Sequence, residues 1–297
     1  MSRTIPLITL ILLALAGTVA ANESEDDAAA EAPATASGEA PEQNETPSTE
    51  AEEEEDGTDT VKPLALLGKT VQPGTFETLH WAPDQSFRSI ATPVPVLVAH
   101  GNEPGPRLCL TAAVHGDELN GIEMVRRLMY ELEPTELAGT VVGVPIVNLD
   151  GFRNGSRYLS DRRDLNRYFP GHEKGSAASR LAFSLFNNIV RQCDYLVDLH
   201  TGSQKRINQP QLRADLDKSE VVAFAKHFGG MTVLHSPPGD GMLRAAAVEE
   251  GIVAVTMEAG GPNRLEEEAV DYGVQALETL LENLDMRKAS RFWGAPQ

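Results

Sequence analysis

Four side chains of the kinds that bind metals or move protons stand where apolar runs stop. His115 and Glu118 close the stretch "LCLTAAVHGDELNG", His200 closes "DYLVDLH", and Glu258 closes "IVAVTME". Two imidazoles and one carboxylate, with a fourth position left to water, make the usual open catalytic zinc site. His115 and Glu118 come from one strand-to-helix turn, where Gly116 lets the chain fold tightly. His200 arrives from another strand, as a third ligand must to complete a tetrahedron. Asp198, two residues earlier on the same strand face, can orient an imidazole from behind. A single His-x-x-Glu is a chance event in many chains, and a lone histidine at a strand end is usually structural. The weight here comes from company. His80, His100, His172, His227 and His235 lack it and read as structural or surface groups, with His235 near the rim of the site.

The stretch "GSRYLSDRRDLNRYFPG" is polar and carries Arg157, Arg162, Arg163 and Arg167. It lies in the long irregular segment Asp150 to Glu173, and long loops in compact domains are usually functional. Guanidinium forks bind carboxylates in a bidentate way, so arginines beside a metal imply a small anionic substrate. The bland alternative is a solvated basic loop.

Elements that would position these groups follow from periodicity. Strands are expected at Val94 to Ala99, Arg107 to Val114, Thr140 to Leu149, Asp194 to His200, Met231 to His235 and Ile252 to Glu258, with "NEPGP" as a turn. Helices are expected at about Asp117 to Leu132, Ser176 to Arg191, Lys218 to Phe228, Met242 to Glu250 and Arg264 to Leu284. In the first of these, Asp117 and Glu118 would sit in the opening turn. The last would turn Leu265, Ala269, Leu277, Leu280, Leu281 and Leu284 inward. Strands alternating with helices give an α/β sheet covered on both faces, with its chemistry at the carboxyl ends of the strands.

The chain has 297 residues and a formal net charge of −19. That charge is uneven. No Lys or Arg lies between Arg3 and Lys62, and residues 22–61 hold 15 acidic side chains. The rest of the chain beyond that segment carries 24 basic against 29 acidic groups, counting Arg3 apart, so it is mildly acidic and has no basic cluster for nucleic acid. "MSRTIPLITLILLALAGTVAANES" has the charged start, short apolar core and small residues of a secretory signal, expected over residues 1–21. Stable membrane insertion is not expected once it is removed. Residues 22–61 are too polar to fold and read as a disordered acidic linker, and 62–297 as the folded domain that carries the candidate zinc site. An exported location, in Gram-negative terms the periplasm, follows. Cys109 and Cys193 could pair there, but two buried free thiols are the favoured expectation.

Taken together and in this order, "HGDELNG", "SRYLSDRRDLNRYFPG", "DLHTG" and "EAGG" resemble the succinylglutamate desuccinylase/aspartoacylase family, from about Val71 to Leu284. The resemblance implies a zinc-carboxypeptidase-like fold: a mixed, mostly parallel sheet with helices on both faces, in the three-layer α/β/α, phosphorylase/hydrolase-like arrangement. It implies one Zn2+ per chain on His115, Glu118 and His200. Asn166 and Arg167 would bind a substrate carboxylate, Arg157 would polarise the scissile carbonyl, and Arg163 could fill that place instead. Glu258 would be the general base and then the general acid. Amide hydrolysis of N-acyl amino acids or similar small carboxylate-bearing amides is the implied reaction, with zinc-activated water as nucleophile. Alternatives are a zinc carboxypeptidase trimming peptides, possibly of the cell wall, a binding protein that kept the fold, and a scaffold built on the acidic segment. Many family members carry a small C-terminal β-domain. Only about 13 residues follow Leu284 here, which implies a more open pocket.

Overall fold

A computed structural model describes residues 60–83 and 92–288. The expected signal, nearly all of the acidic linker and the last nine residues lie outside the described residues. No helix among the described residues is long and apolar enough to cross a membrane.

The described residues open with a small antiparallel hairpin, β1 (Leu64–Leu66) and β2 (Lys69–Val71). Eight further strands form one sheet: β3 (Thr75–Trp81), β4 (Val94–His100), β5 (Glu103–Ala112), β6 (Ala138–Val144), β7 (Tyr195–His200), β8 (Asn208–Ala214), β9 (Thr232–His235) and β10 (Val253–Gly260). Their order across the sheet is β3-β4-β6-β5-β7-β10-β8-β9. The centre, β6-β5-β7-β10, is parallel, and so is the β8/β9 pair. The β3/β4, β4/β6 and β10/β8 pairs are antiparallel. The expected mixed, mostly parallel sheet is therefore present.

Among the described residues six α-helices accompany it: α1 (Asn120–Glu131), α2 (Leu149–Arg153), α3 (Ala177–Asn188), α4 (Ser219–Lys226), α5 (Leu243–Glu249) and α6 (Glu267–Asn283). Two apolar clusters record the two faces. Leu110, Val197 and Met257 join Leu128 of α1, Phe224 of α4 and Leu277 of α6. Cys109, Leu196 and Ala254 join Leu185 of α3 and Ala246 of α5. Alternate residues of a strand face opposite ways, so the second face can be read directly off the sequence. Along β7 it runs Leu196, Asp198, His200, and along β10 Ala254, Thr256, Glu258. That face is apolar where the strands begin and polar where they end.

Several expected boundaries move. "NEPGP" is not a separate turn: β5 already begins at Glu103, with an irregularity in its pairing to β6 between Glu103 and Arg107. β6 stops at Val144, before Pro145, whose ring removes a donor from the ladder. Helix α1 starts at Asn120, so Asp117 and Glu118 lie in the turn before it. Helix α6 starts at Glu267, and Leu265 is 54% exposed rather than inward. Strand β8 was not expected at all. Cys109 and Cys193 are joined in a disulfide with Cα atoms 5.9 Å apart, which corrects the expectation of free thiols. Periodicity sees each cysteine only as a small apolar residue. The β5/β7 pairing is what brings them together.

Candidate metal and substrate site

The route from β5 to His115 is a tight turn. Ala113 takes φ 48°, a left-handed conformation costing of order 1 kcal/mol outside glycine. Backbone donors of Val147 and Asn148 on the carbonyls of Ala112 and Ala113 hold it. At Gly116 a Cβ would come within 2.0 Å of the Gly151 backbone, so only glycine lets the two segments touch. The amide of Glu118 closes the turn on the His115 carbonyl. His200 ends β7 without a turn, and its β10 neighbour in register is Glu258.

These elements bring His115, Glu118 and His200 together, buried, with ligand atoms all within 4.8 Å of one another. Nδ1 of His115 lies 2.9 Å from Oε1 of Glu118, Nδ1 of His200 lies 2.7 Å from Oε2, and the two Nδ1 atoms are 3.1 Å apart. Each far ring nitrogen meets a carboxylate: His200 Nε2 lies 2.6 Å from Asp198 Oδ2, and His115 Nε2 lies 3.1 Å from Asp164 Oδ1. Asp198 acts from behind as its position in the strand suggested, and Thr111 Oγ1 donates to its other oxygen at 2.8 Å. Asp164 went unrecognised as the partner of His115. It precedes "LNR" and caps that turn by accepting from the Asn166 amide.

Electrostatics show what the cluster wants. Burial alone would raise the Glu118 carboxyl, but His200 and His115 reverse the sign and hold it well below the carboxylate range. Burial alone would lower His200, but Asp198 and Glu118 outweigh it and push the imidazole well above its usual range. Asp164 is likewise held low, against its burial, by His115, Arg157 and Arg167. Asp117, next to Glu118, is pushed up by burial and by that neighbouring charge. Three carboxylates surround two imidazoles whose Nδ1 atoms converge. With each Nε2–H given to a carboxylate, the converging atoms are electron-pair donors facing a common point. That donor set fits a divalent cation such as zinc.

The cluster forms one wall of a cavity of about 220 Å3. Arg157, Asn166, Arg167 and Glu258 all line it, so the structure brings together seven of the eight residues singled out by sequence. The eighth, Arg163, does not reach it. Its guanidinium pairs with Asp161 at 2.5 Å, and the side chain is 43% exposed. Arg157 is the arginine beside the metal cluster, donating to Glu118 at 3.0 Å and to Asp164 at 3.2 Å. Asn166 accepts from the Leu243 amide, which leaves its NH2 end for the cavity. Arg167 donates to the Asn166 carbonyl at 2.5 Å.

Sequence reasoning also missed Arg244, Arg213 and Asn208. Arg244 lines the cavity at 2% exposure, donates to the Ser236 carbonyl at 2.8 Å and keeps an unpartnered Nε. Burial pushes its guanidinium down, and Asp198 partly offsets this. Arg213 and Asn208 stand on β8, a strand that was not expected. His100 is structural, as expected, bonded to Thr140 and to the Lys62 carbonyl. In a second group Asp217 and His235 are exposed and Asp215 is half-buried, and the Leu216 amide donates to His235 Nδ1.

Comparison with known proteins agrees with this geometry. Residues 104–284 match the family model for the succinylglutamate desuccinylase/aspartoacylase catalytic domain. An N-alpha-acetyl-L-2,4-diaminobutyric acid deacetylase from Halomonas elongata is 30% identical over 179 residues, 58% of this chain and 52% of that protein. The chain thus spans about half the length of that curated relative. The product-bound structure of the ectoine utilization protein EutE (DoeB) from Ruegeria pomeroyi is similar with a TM-score of 0.66 and 27% identity, over 77% of this chain and 72% of that one. At 15% identity and a TM-score of 0.53, a metallopeptidase structure from Shewanella denitrificans, covering 70% of this chain and 84% of its own, shares the fold alone. The chain belongs to the succinylglutamate desuccinylase/aspartoacylase family, a family of deacylases on a metallopeptidase-like fold.

Proposed function

We propose that this family member is a zinc-dependent hydrolase that cleaves the amide bond of N-acyl amino acids or similar small, carboxylate-bearing amides. The observation that carries the reading is the convergence of His115, Glu118 and His200 in one small cavity with Glu258 and several arginines. The three ligands would hold the cation, which supplies Lewis acidity and a water acidified toward neutrality.

The chain's own residues do the rest. Arg157 is tied to Glu118 and Asp164 beside the cluster, where it can stabilise negative charge developing on the scissile carbonyl oxygen. The Asn166 NH2 and the Arg167 and Arg244 guanidiniums offer donors to a substrate carboxylate at the cavity wall. A Glu258 carboxylate oxygen takes the proton from the attacking water and passes it to the leaving nitrogen. Water is thereby divided across the C–N bond, giving a carboxylic acid and a free amine. The Cys109–Cys193 disulfide and the apolar start of the chain support an exported, periplasmic location, where such a bond persists.

The test is to load the full chain with zinc and incubate it with a panel of N-acyl amino acids and short peptides, identifying products by mass. Release of free acid and amino acid is expected. Glu258→Gln should keep its zinc and lose roughly 10²–10⁴-fold in kcat. Release of C-terminal residues from the peptides alone would replace this reading with a carboxypeptidase. Full activity in Glu258→Gln would remove Glu258 from the mechanism.

A further inference from the structure

β8 contributes no metal ligand, yet it meets both oxygens of Glu258. Asn208 Nδ2 donates to Oε2 at 2.7 Å. Arg213 Nε lies 3.0 Å from Oε1. The second contact is an ion pair rather than an aligned hydrogen bond, because the Nε–H is not directed at the oxygen.

Two residues five apart in a regular strand face opposite sides of a sheet. These two share a side because the strand is irregular. β8 opposite β10 pairs Arg213 with Thr256 and Gln211 with Glu258, then shifts so that Asn208 pairs with Gly260. Three residues of β8 are spent against two of β10. The extra residue turns Asn208 onto the face that Arg213 and Glu258 already occupy. Bulges that re-aim one side chain are frequent beside active sites. The result grips the carboxylate from both ends of its diagonal, and each oxygen keeps a second lone pair for a proton.

We infer that Asn208 and Arg213 are positioning residues that fix the Glu258 carboxylate toward the metal cluster, and that the β8 bulge exists to place Asn208. This rests on Glu258 being the proton-moving group proposed above. The arginine also makes a poor free anion binder while its charge faces Glu258, which separates it from Arg244, which has no carboxylate within ion-pair distance among the described residues.

The test uses the full zinc-loaded chain and whichever panel amide the wild type cleaves. Asn208→Ala and Arg213→Ala should each lower kcat about 10–100-fold, with KM and zinc content unchanged. Arg213→Lys should recover part of the loss. In a Glu258→Gln background neither change should cost anything further, because both act through that carboxylate. Asn208→Asp keeps the shape but turns a donor into a like charge, and should behave as Asn208→Ala does if the alanine variant folds poorly. Full kcat in these variants overturns the inference, and so does a rise in KM alone, which would make Arg213 a substrate-binding residue. A loss that adds in full to that of Glu258→Gln does the same. If Glu258→Gln itself is fully active, the functional reading fails and this inference falls with it. If the wild type cleaves nothing on the panel, crystal structures of Asn208→Asp and Arg213→Ala decide: Glu258 should leave its wild-type position, and an unmoved carboxylate overturns the inference.

Discussion

Strands β5 and β7 are joined twice, once at each end, by opposite chemistry. Where their pairing begins, Cys109 of β5 and Cys193, two residues ahead of β7, are linked covalently, in surroundings that are apolar and buried. Six residues on from Cys109 and seven from Cys193, His115, Glu118 and His200 link them through charge. The covalent link needs no compensation. The polar link needs a great deal: Asp164, Asp198, Thr111 and Arg157 are all engaged in satisfying three ligands. A sheet held only for stability would not bury that many titratable groups, since each costs several kcal/mol unless paired. The amino end of the strand pair is built to last, and the carboxyl end is built to bind.

The strongest way to break that contrast is Glu118→Gln. It keeps the side-chain volume and removes the charge that both imidazoles face. Zinc content should fall from about one per chain to near none, and amide cleavage to that of a protein-free control, while circular dichroism in the far ultraviolet stays that of the wild type. Retained zinc in this variant would show that the cluster is not the metal site.

The mirror experiment is at the other end. Replacing Cys109 and Cys193 together by alanine opens a loop of 84 residues and should cost about 2–4 kcal/mol of stability. For a domain of this size that lowers Tm by roughly 5–15 °C. Below the transition, zinc stoichiometry and kcat should not change. A variant that lost zinc at full foldedness would show that the two ends are coupled, and the contrast would have to be withdrawn.

A finer cut separates the ligands from the groups behind them. Asp198→Asn and Asp164→Asn leave every ligand in place and weaken only what orients the imidazoles. Each should lower metal affinity about 10–100-fold, read by competition with a chelator, with little change in Tm of the metal-free chain. An effect as large as that of Glu118→Gln would move these aspartates into the ligand set.

How much of this was legible in the sequence depends on whether the signal was local. The apolar runs of β4, β5, β7 and β10 announce themselves, and so do the histidines and glutamate that end them. Helix α3 has a serine cap, Ser176 accepting from the Ser179 amide, that marks its start. β8, "NQPQLRA", has a proline and little apolar alternation, and it exists as a strand because β10 offers it an edge. Asn208 and Arg213 were invisible for that reason. Asp164 and the disulfide are pairings across 49 and 84 residues, which no window of sequence contains. Arg157 and Arg163 were indistinguishable by type. The fold separates them, because Arg163 bonds its neighbour Asp161 while Arg157 reaches Glu118.

The smallest expected effect lies on the outer surface of α1, where similar charges have a different environment. Arg127 meets Glu123, Glu267 and Asp271 at 2.7–2.8 Å. Glu267 and Asp271 are about two-thirds exposed, against a few per cent for the metal cluster. Water does most of the work of solvating such a group, so Arg127→Ala should cost below about 1 kcal/mol by urea unfolding and leave zinc and activity alone. The hydrogen bonds from Arg126 and Arg127 hold the Glu123 carboxyl down at about 2, from an ordinary 4.5. A depressed carboxyl stabilises the fold above its unfolded value and stops doing so as pH falls through its folded one. The difference between wild type and Arg127→Ala should therefore be constant above about pH 5 and shrink between pH 4.5 and 2. Added salt should shrink it too, whereas the buried cluster, out of reach of the ions, should hold its metal at the same salt concentration. A surface variant as damaging as the buried ones would mean that charge, and not burial, sets what these clusters do.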